Sequence, residues 1–223
     1  MKTEHFVDNR TNNQIKMMCQ QNLAMHSLLN RTDAIHRRGV VNGVPRGSKN
    51  PLWVGLPIRL SQMRAQARVP QRALADMADR SNALISLTES GKSIPAIDTV
   101  ERLAAALGIP PGWLAYGDEG TEPFRQRRPR SPVPLDPPVP EPGKREPAGL
   151  YKGVGERCKQ ARDARGLSLR AVAKAAGLSA QSLLLTDAGE TVPLVSTCEA
   201  LAVSLDVSPC WLAYGYGQGI EDG

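Results

Sequence analysis

The chain has 223 residues, a formal net charge of +6 and 41% hydrophobic residues. That length admits one or two domains, and no apolar run approaches the roughly 18 residues of a membrane helix. The four cysteines form no C-x-x-C pair and the three histidines are scattered. We therefore expect free, buried thiols in a reducing cytoplasm and neither a metal site nor a cofactor. No secretory pattern opens the chain.

Residues 1–52 read as a basic, flexible arm. Residues 1–56 carry eight Lys/Arg against three Asp/Glu. Ile15, Met18, Cys19, Leu28 and Leu29 have roughly helical spacing, so a marginal helix and a disordered arm are both open. Next comes a duplicated unit. Shifted by 98 residues, the chain aligns without a gap from Arg59/Arg157 to Gly117/Gly215, with 23 of 59 positions identical. The pentapeptide WLAYG, Trp113–Gly117 and Trp211–Gly215, closes both copies. Two copies are too few for a solenoid, so we expect two small domains, 53–117 and 151–217. Residues 118–150 lie between them and hold nine of the eighteen prolines, which predicts an extended linker. A short tail, 218–223, follows.

Each copy is punctuated as five short helices. In the second, a helix ends at Gly166 and Ser168 caps the next. Gly177 supplies a left-handed turn, and Ser179 caps a third helix that Gly189 ends. Pro193 precedes the fourth, and "SPCWLAYG" folds Trp211 and Leu212 back on the core. A sharp turn between the second and third helices is a helix-turn-helix signature. The first copy departs from it, with Asp79 in place of Gly177 and Pro70 in place of Ser168. Arg64 and Glu89, like Arg162 and Asp187, are 25 residues apart.

The stretches "QRALADMADRSNALISLTESGKSIPAIDTVERLAAALGIPPGWLAYG" and "LSLRAVAKAAGLSAQSLLLTDAGETVP…EALAVSLDVSPCWLAYG" resemble the Cro/CI-type, lambda-repressor-like DNA-binding domains. The resemblance implies an all-α fold with two five-helix domains. It also implies a prokaryotic, cytoplasmic, repressor-like regulator that binds double-stranded DNA without catalysis. It implies internal Arg64–Glu89 and Arg162–Asp187 ion pairs, with Trp113-Leu114 and Trp211-Leu212 as core anchors.

The DNA-contacting residues it implies in the first copy are Gln71, Arg72, Arg80, Ser81, Asn82, Ala83, Leu84, Ser86 and Leu87. In the second they are Arg170, Ser179, Ala180, Gln181, Ser182 and Leu184. Neither third helix carries Arg or Lys, the commonest reader of guanine. Asn82 and Gln181 could read adenine, and Leu84 or Leu184 a thymine methyl. An alternative is a protein-interaction adaptor, antiactivator or antitoxin-like, that docks a partner on its apolar third helices. A protein partner for the second domain and a homodimer both stay open. The arginines of "RQRRPR" (Arg125, Arg127, Arg128, Arg130) read as a solvated charge run or as a phosphate-tracking arm. A linker of roughly 33 residues at about 3 Å each reaches up to about 100 Å, so half-site spacing is expected to be loose.

Overall fold

A computed structural model describes residues 51–117 and 138–217. Residues 1–50 of the N-terminal arm, the arginine run and the tail lie outside the described residues. Ten α-helices are present among those described, five per repeat and no strand. The first repeat holds α1 (Leu56–Gln66), α2 (Gln71–Met77), α3 (Asn82–Glu89), α4 (Ile97–Leu107) and α5 (Pro111–Tyr116). The second holds α6 (Val154–Ala164), α7 (Leu169–Ala175), α8 (Ala180–Asp187), α9 (Val195–Leu205) and α10 (Pro209–Tyr214). A 3₁₀ turn precedes each set, Leu52–Gly55 and Leu150–Gly153. The ordered unit thus takes in Leu52, which composition alone assigns to the arm.

The caps follow the local chemistry. Ser168 Oγ accepts from Ala171 N and Ser179 Oγ from Ser182 N, at 3.2 and 3.0 Å. Pro70 has no side-chain acceptor, and α2 starts without a side-chain cap. Gly177 has φ +70°, and its counterpart Asp79 adopts the same left-handed conformation at φ 52°. A residue with a Cβ is strained there, by roughly 1–2 kcal/mol. Gly155 has a different role. A Cβ on it would lie 2.5 Å from the Thr186 carbonyl and 2.6 Å from that of Asp187. Helix α6 therefore rides directly on the backbone at the end of α8.

Both repeats contribute to one core. Leu60, Leu74, Ile85, Leu103 and Leu114 are buried in the first, and Val172, Leu183, Leu201 and Leu212 in the second. Trp113 is buried and Trp211 packs against the core from a half-exposed position. Cys158, Cys198 and Cys210 are free and buried. Burial pushes the Cys158 and Cys198 thiols up to about 12.

The repeats pack against each other, and a set of hydrogen bonds between them comes in equivalent pairs. Ile97 N donates to Pro193 O at 3.1 Å, and Val195 N to Pro95 O at 3.0 Å. Between these bonds Ala96 and Leu194, equivalent residues, form an isolated antiparallel bridge. The Tyr116 hydroxyl donates to Val195 O and the Tyr214 hydroxyl to Ile97 O, both at 3.2 Å. Glu199 accepts from Leu52 N and Trp53 N at 2.8 and 3.0 Å. Glu101 accepts from Leu150 N and Tyr151 N at 2.9 and 3.2 Å. Reciprocal contacts between equivalent residues are the mark of an isologous, two-fold interface. Here the two-fold is approximate and lies inside one chain, passing through the Ala96–Leu194 bridge.

This packing overrides the expected slack tether. Spacing between the repeats is set by their interface and not by linker length. The last part of the linker is itself seated: Glu141 N donates to Leu107 O and Gly143 N to Ala106 O, both at 2.8 Å. Gly108, with φ +69°, allows this approach, because a Cβ there would sit 2.4 Å from the Glu141 carbonyl.

Candidate nucleic-acid interface

The helix-turn-helix unit is α2, the left-handed turn and α3 in the first repeat. In the second it is α7, the turn at Gly177 and α8. Burial of Ile85 and Thr88 in α3, and of Leu183 and Thr186 in α8, seats each third helix on the core by one face. The opposite face is left outward. Asn82, Ala83, Ser86 and Leu87 are exposed on α3, and Gln181, Ser182 and Leu184 on α8. Leu84 and Ala180 are half-buried, and Leu84 packs against the core. Arg72 and Arg170 stand exposed in the first turns of α2 and α7.

Four of the residues singled out in the sequence have local duties. Ser81 and Ser179 cap α3 and α8, accepting from Leu84 N and Ser182 N at 3.2 and 3.0 Å. Arg80 turns back into the fold. Its guanidinium donates to Asp98 Oδ2 at 2.8 Å and to the Asp79 carbonyl at 3.0 Å. It thereby ties the turn to the first turn of α4. The Gln71 amide donates to Glu89 Oε2 at 2.7 Å.

That bond extends the ion pair beneath the site. Arg64 Nε donates to Glu89 Oε1 at 2.6 Å and Nη2 to Oε2 at 2.9 Å, with the Glu89 side chain 8% exposed. The hydrogen bond to Glu89 raises the Arg64 pKa above its ordinary value. A third Arg64 donor reaches Val69 O at 3.1 Å. The pair locks α1, the start of α2 and the end of α3 into one orientation. In the second repeat Arg162 Nη1 meets Asp187 Oδ2 at 2.6 Å. The shorter Asp187 makes one such bond where Glu89 makes two.

Replacing Arg64 with Ala should destabilise the protein by about 2–3 kcal/mol. A fully buried pair broken on one side costs roughly 3–5 kcal/mol, but Arg64 is 21% exposed, so water partly re-solvates Glu89. Denaturant midpoints of the two proteins measure the difference, and an unchanged midpoint would refute it.

Residues of the two-fold interface carry no helix-turn-helix signal of their own. Their signature is recurrence. Arg59/Arg157, Pro95/Pro193, Glu101/Glu199 and Tyr116/Tyr214 are identical between the copies, and all serve the reciprocal contacts or the carbonyls behind them. Recurrence alone does not separate a contact between copies from a core residue needed in both.

Comparison with known families agrees with this geometry. A family described as "Helix-turn-helix domain" matches residues 56–114, and one described as "Helix-turn-helix" matches residues 159–212. Neither a curated protein nor a solved structure matched the chain. Fold and matches define a helix-turn-helix protein, of the class that serves DNA binding and transcription regulation. The chain carries two such domains in tandem, the second of the Cro/CI type. Among the described residues no helix is long and apolar enough to cross a membrane.

Proposed function

We propose that the chain is a sequence-specific regulator that acts by occupying an operator in double-stranded DNA, as a repressor does. The observation that carries this reading is the pair of outward third-helix faces flanking one two-fold. A third helix of this kind lies in the major groove with its N-terminal side chains at base edges. Asn82 and Gln181 are the exposed amides at those N-terminal ends, and an amide pairs bidentately with adenine N6 and N7. Arg72 and Arg170 are exposed at the start of the preceding helices, where phosphate contacts position the reader.

Asn82→Ala should cost about 1–3 kcal/mol of specific binding and relax selectivity at one base step. Gln181→Ala should cost less, because the longer Gln181 side chain gives up more rotamer freedom than Asn82 to make its contact. Titration of labelled operator at fixed salt compares them, and equal or reversed losses would overturn the ranking.

An adaptor reading draws on Leu184 and Leu87, 50% and 44% exposed. Leu184→Ser distinguishes the two. A partner docked on the apolar face loses affinity for the variant while DNA binding persists. A thymine-methyl contact instead shows as a shifted base preference.

A further inference from the structure

We infer that one chain, without a second copy, reads an inverted pair of unlike half-sites. This rests on the DNA-binding reading above and adds the form of the operator and its stoichiometry.

Two observations carry it. The first is that the two-fold contacts are satisfied inside one chain. The hydrogen bonds flanking the Ala96–Leu194 bridge, both tyrosine hydroxyls and both buried glutamates are engaged between the repeats. Each third helix ends seven residues before its bridge residue, Glu89 before Ala96 and Asp187 before Leu194. The two readers therefore flank the two-fold axis. A two-fold protein places its half-sites in inverted orientation, one helical turn or a multiple apart, and a packed interface holds that spacing rigid.

The second observation is where the copies differ. Ser81/Ser179 and Thr88/Thr186, a cap and a core contact, are identical. On the outward face and its edge the equivalent pairs Asn82/Ala180, Ala83/Gln181, Leu84/Ser182 and Ser86/Leu184 all differ, and only Leu87/Leu185 is identical. An amide faces a methyl at the first position, a methyl an amide at the second, and a hydroxyl an isobutyl group at the fourth. Apart from that shared leucine, donor, acceptor and apolar contacts thus fall at different register positions in the two grooves. Two identical half-sites could not match both.

The test starts with the full chain and a pool of randomised duplexes, from which bound sequences are selected. The mass of the complex is then measured by light scattering. The expected motif has two different halves in inverted orientation at one spacing, with one chain per duplex. Inserting three or five base pairs between the halves should weaken binding at least tenfold. The variant Ala180→Asn/Gln181→Ala/Leu184→Ser, checked for an unchanged melting temperature, should select a more symmetric motif. Identical halves for the unaltered chain, a direct repeat, tolerance of the insertions, or two chains per duplex would overturn the inference while leaving DNA binding intact. Enrichment of no sequence at all would remove the DNA reading and the inference together. The motif, the insertions and the mass need only the unaltered chain, so they decide the matter even if the variant fails to fold.

Discussion

Arg59→Ala is expected to destabilise the protein by about 3–5 kcal/mol, the range for removing one partner from a buried charged network. Arg59 is fully buried. Its guanidinium donates to the carbonyls of Leu114, Ala115 and Leu52 at 2.8, 2.6 and 3.1 Å. Burial draws its pKa down to about 9 against the opposing pull of Glu199, so it is charged at neutral pH. Alanine would strand three carbonyls at the end of α5 and the entry to α1. It would also leave the buried Glu199 carboxylate, which holds the Leu52 and Trp53 amides, without that neighbouring positive charge. An unmet buried polar group costs roughly 1–3 kcal/mol, and these share one small volume, so the losses do not simply add. Arg59→Lys should recover only part, because an ammonium cannot reproduce the planar fork. Arg157→Ala is the internal control. It makes the equivalent bonds to Leu212, Ala213 and Leu150 from a half-exposed position, and should cost less. Denaturant midpoints at constant slope give all three values. Equal losses at Arg59 and Arg157 would show that burial is not what sets the cost.

The second expectation is that both repeats unfold in one transition. A repeat on its own is near the size at which a core becomes marginal. Here each also leaves part of its structure on the other: Glu199 of the second repeat holds the 3₁₀ turn of the first, and Glu101 of the first holds that of the second. Opening either repeat would expose the apolar surface of Ile97 and Val195, both fully buried, and free both tyrosine hydroxyls. At about 0.7 kcal/mol per residue near 60 °C, the joined unit should show a van't Hoff enthalpy of about 100 kcal/mol, against about 45 for one repeat. Calorimetry on the full chain should give matching calorimetric and van't Hoff values. Two resolved transitions, or a van't Hoff value near half the calorimetric one, would mean that the interface couples the repeats only weakly.

The local structure was legible because it is written in local chemistry. Serines that accept from their own third amide, glycines at positive φ and helical apolar spacing each act within a few residues. The helix-turn-helix could therefore be read through two departures, Asp79 at the turn and Pro70 at the cap. The Arg64–Glu89 pair was expected from the family resemblance, and its spacing of 25 residues recurs in Arg162 and Asp187. Gln71 and Arg80 show the limit. The family resemblance puts both at the edge of the reading surface, whereas the direction of each side chain follows from carboxylates 18 residues further on, Glu89 and Asp98.

The sequence by itself determined that there are two like units, that each is punctuated as five short helices, and where the caps and turns between them fall. The tertiary structure alone decided how the units meet. A tether sets only a maximum separation, whereas an interface sets a single one, because hydrogen bonds and close packing lose their energy within an ångström or so of displacement. The groups that make this interface are backbone amides and carbonyls at Pro95, Ile97, Pro193 and Val195, together with hydroxyls and carboxylates that recur in both copies. A backbone group has the same chemistry in every sequence, so its partner becomes visible only when the chain is folded.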